Sequence, residues 1–219
     1  MCVNFTPATP TSIQRMTGLE VADYRAEAYP GYAAPIIRAL EADAPEVKLR
    51  VDAALFGLIP VWAKDRAFGK RTYNARSETV SEKPSYRTAW KQRRYCLVPM
   101  EQFFEPCWET GRAVRWSIHR KDGEPFAVAG IWENWTDKSS GEIVASFSML
   151  TINADGHAVM GRFHRPGDER RSLVVVPDSR WQAWLTAPAT EAAGMFDTMD
   201  STQFTAEPAS PKQTQASLL

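Results

Sequence analysis

A cysteine next to an initiator methionine offers chemistry that no internal cysteine can. With Met1 removed, Cys2 would open the chain as a 1,2-aminothiol. Its α-amine, with a pKa of about 7.7–8.0, then sits beside a thiol at about 8.5, so both are partly deprotonated near neutrality and both are nucleophiles. The plainer fate of a cysteine is a small buried hydrophobe. Cys96, inside an apolar run, and Cys107, between Pro106 and Trp108, read that way. Neither these cysteines nor His119, His157 and His164 show the short paired spacing of a metal site or a disulfide framework. No metal and no cofactor are expected.

Two further residues are ambiguous taken singly. Glu105 lies in Glu101-Gln102-Phe103-Phe104-Glu105-Pro106. Strand alternation puts it on the face of Phe103, and burial there would raise its pKa toward the range of a useful acid or base. A surface position is the ordinary alternative. Asn74, between Tyr73 and Ala75, is equally suited to a turn. Among the histidines, His119 lies next to Arg120, Lys121 and the Asp122-Gly123 turn, and His157 follows the turn formers Asn153 to Gly156. Both are expected at the surface.

The elements that would position these groups are mostly strands. Tyr95–Pro99, Val114–Ile118, Phe126–Trp132 and Val144–Ile152 are rich in β-branched and aromatic residues, as are Leu49–Ile59 and the apolar Ser172–Val176. Asp122-Gly123 predicts a hairpin turn. Two helix-like stretches fall within residues 18–42, the second at Ala34–Leu40 behind an early proline, with short helices at Pro84–Gln92 and Arg180–Leu185. No βαβ alternation is present. The class is α+β, a mainly antiparallel sheet or partly closed barrel with flanking short helices. Residues 1–200 read as one domain, and 201–219, poor in apolar side chains, as a disordered polar tail.

Composition narrows the partners. Twenty-six Lys and Arg balance 26 Asp and Glu, which excludes a global positive grip on nucleic acid and leaves room only for a local basic stripe. No apolar run is long enough to span a membrane, and the N-terminus lacks the pattern of a secretory signal, so a reducing cytoplasm is expected.

Read together, the motifs resemble the SOS-response-associated peptidase family, whose members process abasic sites in DNA. The resemblance rests on Met1-Cys2, Phe56-Gly57-Leu58-Ile59-Pro60 with Trp62, Asn74-Ala75-Arg76-Ser77-Glu78-Thr79 and Cys96-Leu97-Val98-Pro99. It continues through Phe103-Phe104-Glu105, Ala129-Gly130-Ile131-Trp132, Thr151-Ile152-Asn153-Ala154 and Phe163-His164-Arg165-Pro166, in the family's order over residues 1–185. It implies a pseudo-barrel fold with Cys2 as catalytic N-terminus, exposed by self-removal of Met1, and with Asn74, Glu105 and a histidine completing the site; the family's motif places that histidine at His164, with His157 the alternative. The implied activity is capture of the abasic aldehyde in single-stranded DNA as a covalent thiazolidine. A monomer is expected. Arg76, Arg87, Lys91, Arg93, Arg94 and Arg165 would then supply the basic track, and Trp62 or Trp108 would stack bases.

The chain departs from the family pattern in three places. Val3-Asn4 stands where Gly-Arg is usual, Pro106 follows Glu105 in place of Trp, and extra residues after His164 leave the closing arginine to be chosen between Arg165 and Arg171. Two other classes stay open on sequence alone: an N-terminal-nucleophile hydrolase acting on peptides or amides, and a non-catalytic reader of single-stranded DNA.

Overall fold

Thirteen residues from Tyr95 to Cys107 form a single strand, β5, whose two halves have different neighbours. The first half pairs with β7 (Phe126–Thr136), from Tyr95↔Ile131 to Met100↔Phe126, and meets β2 (Ala33–Ala39) at Ile37↔Leu97. The second half lies between β1 (Asn4–Pro7) and β6 (Val114–Arg120). The structure is a computed structural model and describes residues 2–43 and 46–209.

From β5 the sheet runs through β2, β3 (Leu49–Phe56) and β8 (Ile143–Asn153) to β7, which returns to β5. Five strands thus close on themselves, and closure removes the open edges that would invite mispairing. All ring contacts are antiparallel except β3 with β8. The expected α+β class with a mainly antiparallel, barrel-like sheet is what the chain adopts, with the five-stranded ring fully closed.

Period-two alternation divides β5 between two cores. Cys96, Val98 and Met100 point into the barrel with Phe56, Phe103 and Phe147. Tyr95 and Leu97 point outward beneath α2 (Arg87–Lys91) and α3 (Trp181–Thr186), among Trp90 and Trp184. The Tyr95 and Trp184 rings stack at 4.5 Å, and the Trp184 indole N–H donates to the Cys96 carbonyl at 2.9 Å. With both faces covered, the strand reads as a continuous apolar run.

Several sequence expectations are corrected. Ala34–Leu40 is not helical: its residues 34–39 lie in β2, with Ala34, Ile36 and Ile37 fully buried. A short apolar run does not by itself distinguish buried strand from helix, and here the β-branched Ile pair and neighbours on both sides decide it. The N-terminal helix is instead α1 (Pro10–Thr17), capped by the Thr9 hydroxyl, which accepts from the Ser12 N–H at 3.1 Å, and ended by Gly18 at φ 74°. The Asp122-Gly123 turn forms, with the Gly123 N–H bonded to the Arg120 carbonyl. The strands it joins, β6 and β7, pair with β5 and not with each other.

The expected tail begins too early. Beyond β9 (Arg171–Leu173) and β10 (Val175–Val176), Phe204–Pro208 forms β11 on the free edge of β6, anchored by Phe204, whose ring meets Phe126 edge-on at 5.0 Å. An exposed row of N–H and C=O groups can order a polar segment that brings one aromatic anchor. Residues 210–219 of that tail, and Met1, lie outside the described residues.

Candidate active site

Strand pairing brings the two ends of the chemistry together. β1 aligns Asn4 with Phe104 and Phe5 with Phe103, so Cys2, two residues ahead of β1, comes up alongside Glu105. Cys2 is buried, and its Sγ–H donates to the Asn4 carbonyl at 3.2 Å. Burial raises the thiol pKa, and the Glu105 carboxylate raises it further. Held this way the sulfur stays a thiol until a neighbour takes its proton.

Asn74 arrives from β4 (Asn74–Arg76), a short strand laid parallel to β8 with Asn74 opposite Met149. Its side-chain N–H donates to the Cys2 carbonyl at 2.7 Å, while Oδ1 is buried with no partner among the described residues. The Tyr86 hydroxyl donates to the backbone carbonyl of Asn74 at 3.0 Å and steadies it from behind. Beneath β4 the loop is pinned: at Gly57, φ 120°, an added Cβ would lie 2.2 Å from the Gly69 carbonyl oxygen.

His164 is delivered by an isolated bridge between Cys107 and Phe163, and its N–H bonds the Pro106 carbonyl at 3.2 Å. Its φ of 76° is left-handed, which few residues other than glycine adopt, histidine being among those that do. Nε2 lies 3.8 Å from Glu105 Oε2, with both side chains almost wholly enclosed. Neither imidazole nitrogen has a hydrogen-bond partner among the described residues.

Burial sets the proton states of this pair. It pushes the Glu105 carboxyl up to about 7 and the His164 imidazole down to about 4. Close to neutrality the contact is therefore a neutral imidazole beside a carboxyl poised at its midpoint, and not an ion pair. Two groups with separated values at one spot can divide acid and base work between them. Tyr73, half-buried, belongs to the same cluster: its phenol pKa is raised by burial and then by the anionic forms of Cys2 and Glu105. Nothing in the sequence had singled it out beyond its place ahead of Asn74.

The other sequence candidates scatter. Arg76 is exposed and pairs with Glu169 at 2.7 Å. Arg165 is exposed, with its guanidinium 5.8 Å above the half-buried Trp108 ring. Trp62 is 50% exposed, edge-on to Phe68 at 4.9 Å. Arg87 is exposed on α2. Arg94, by contrast, is bound to buried Glu133 and lies over Trp132, and Arg93 donates to the Ala187 and Thr186 carbonyls. These two hold the fold together and lie outside any open basic track. Arg171 is the arginine that enters a strand, β9 (Arg171–Leu173), where it is buried against Glu78, Glu169 and Thr151. Asn4, in the place of the family's usual arginine, donates from Nδ2 to the Glu27 carboxylate at 3.5 Å.

His157 is occupied elsewhere. Its Nδ1 accepts from the Val159 and Met160 N–H groups at 3.1 and 3.0 Å, and Nε2 lies 2.7 Å from the Met199 carbonyl, which fixes the tautomer.

A small closed barrel thus gathers a thiol, an amide, a carboxyl and an imidazole from four separated segments. The chain belongs to the family described as SOS response associated peptidase, whose family model matches residues 1–214. It is 30% identical over 145 residues to the abasic site processing protein YoqW of Bacillus subtilis, covering 65% of this chain and 60% of that one. It is 28% identical over 181 residues to the abasic site processing protein YoaM of the same organism, covering 78% and 75%. A solved protein from Bordetella bronchiseptica superposes with a TM-score of 0.86 at 29% identity, over 96% of this chain and all of that one.

Proposed function

We propose that this protein captures abasic sites in single-stranded DNA as a covalent thiazolidine on Cys2, after Met1 has been removed by the protein itself. The observation that carries the reading is the gathering of four groups: Asn74 bonded to the Cys2 carbonyl, Glu105 near enough to raise the Cys2 thiol pKa, and His164 3.8 Å from Glu105. The naming of the curated relatives as abasic site processing proteins adds the substrate class.

The steps follow from the groups present. An abasic sugar rests mainly as a closed hemiacetal, so a proton must leave its hydroxyl and one must reach the ring oxygen before an aldehyde exists. Neutral His164 and half-protonated Glu105 supply an acceptor and a donor for that exchange. The Cys2 amine adds to the aldehyde carbon, and loss of water leaves an imine. The Cys2 sulfur then adds to the imine carbon as its proton passes to the nitrogen, closing a five-membered ring. Closure removes the imine that would otherwise promote strand cleavage by β-elimination. Asn74, bonded to the Cys2 carbonyl, fixes the direction in which the amine and sulfur point.

Exposed Arg76 and Arg165, with Trp62 and Trp108, would hold the strand by a few phosphate contacts and base stacking. The chain is proposed to act as a cytoplasmic monomer, where its three free cysteines would stay reduced. The reading is tested by incubating the protein with a single-stranded oligonucleotide bearing one abasic site and resolving the products under denaturing conditions. A band of protein plus DNA supports it, and its absence refutes it.

A further inference from the structure

Two arginines beside the site converge on one carboxylate. Glu169 lies 2.7 Å from Arg76 and 2.7 Å from Arg171. Arg171 is buried, with 3% of its side chain exposed, and its Nε has no hydrogen-bond partner among the described residues. Arg76 is half exposed and stands two residues after Asn74 on β4, hence on the same face and roughly 6–7 Å further along the strand. The carboxylate between them comes from an exposed loop, residues 165–170, that begins directly after His164. The loop's far end is tied by Arg170, whose guanidinium donates to the Gly161 carbonyl and whose own carbonyl accepts from Ala154.

We infer that Glu169 is a built-in stand-in for a DNA phosphate: it holds the Arg76–Arg171 site closed until a strand phosphate displaces it. This rests on the single-stranded DNA reading above. A carboxylate and a phosphodiester present the same thing to a guanidinium, namely anionic oxygens with bidentate geometry. The two partners of Glu169 differ in how readily they let go. Its pair with Arg76 is solvent-exposed, and exposed pairs are weak enough for a competing anion to break. Arg171 keeps Glu78 and Thr151 when Glu169 leaves, so the buried cation is never stranded. Because the loop begins directly after His164, loading of the strand and the setting of the imidazole share one segment. Glu169 thus discriminates against weak or short anions, which cannot repay its displacement, in favour of a strand that makes other contacts too.

The experiment measures binding of a fluorescein-labelled, lesion-free single-stranded oligonucleotide by anisotropy at several salt concentrations, with adduct formation on the abasic oligonucleotide run in parallel. Glu169→Gln is expected to bind about fivefold more tightly than the parent. Its log–log salt slope is expected to steepen by up to about 0.7, one phosphate's worth, because the contact no longer replaces an internal one. In an Arg76→Ala background the same substitution should change little, and Glu169→Lys should also tighten binding. Unchanged or weaker binding by Glu169→Gln, at an unaltered melting temperature or a lowered one, overturns the inference, as does a gain that persists without Arg76. No binding by either protein overturns it as well. Tighter binding by Glu169→Gln with no adduct from any variant keeps the displaced carboxylate and discards the abasic-site reading; an adduct with no effect of Glu169→Gln does the reverse.

Discussion

Burial acts on Glu105 and His164 in opposite senses, holding a carboxyl half-protonated at about pH 7 and an imidazole neutral down to about pH 4. Glu105→Gln keeps the shape and most hydrogen bonding but ends proton exchange, so crosslinking should slow by ~10²–10⁴-fold. The rate's dependence on a group near pH 7 should vanish with it, as read from single-turnover rates across pH 5–8. Stability carries a second signature. The Glu105 value is raised on folding, so its contribution is complete below about 4.5 and lost as pH rises to about 7. The His164 value is lowered, so its contribution is complete above about 6.5 and lost as pH falls to about 4. The two oppose each other in one window. Glu105→Gln should therefore gain about 3 kcal/mol on the parent between pH 4.5 and 7, measured by urea unfolding, and a constant difference would contradict the assignment. The histidines separate by a different test. His164→Ala should slow crosslinking while sparing DNA binding, whereas His157→Ala should cost about 1–3 kcal/mol of stability by leaving two backbone N–H groups and the Met199 carbonyl without a partner.

At the scale of elements, the site depends on contacts between segments far apart in the chain. β1 against β5, β4 against β8 and the Phe163–Cys107 bridge bring Cys2, Asn74 and His164 to Glu105. Local pattern shows the strands that surround these groups but carries nothing about which of them pair. That is why each residue was ambiguous singly, and why only the order of motifs joined them. The same limit hid β2, whose strand state is decided by β3 and β5, and β11, whose order comes from the edge of β6. Arg94 was misjudged for a related reason: its partner, Glu133, is 39 residues away on β7. The loop beneath β4 offers a direct test. Gly57→Ala places a Cβ against the Gly69 carbonyl at a φ that side chains avoid. The strain alone costs about 1–3 kcal/mol. Thermal unfolding should show that loss, and crosslinking should fall with it because Asn74 follows the same loop. An unperturbed variant would mean that the loop is not rigid.

For the whole molecule, zero net charge would confine the proposed DNA recognition to a few exposed cations around one buried cluster. Each neutralised phosphate of a single strand contributes about 0.7 to the log–log salt slope, so a shallow slope is expected, with poor reaction on duplex, where pairing hides the sugar. A steep slope or equal reaction with duplex would argue for a much broader basic surface. The central claim is the bond to Cys2, and intact-mass measurement after reaction with abasic single-stranded DNA tests it most directly. The account predicts a species lacking Met1 whose mass is protein plus DNA less one water, formed without borohydride and absent from Cys2→Ala and from a chain with a blocked N-terminus. An unreduced adduct of the same mass and yield from either variant would contradict it.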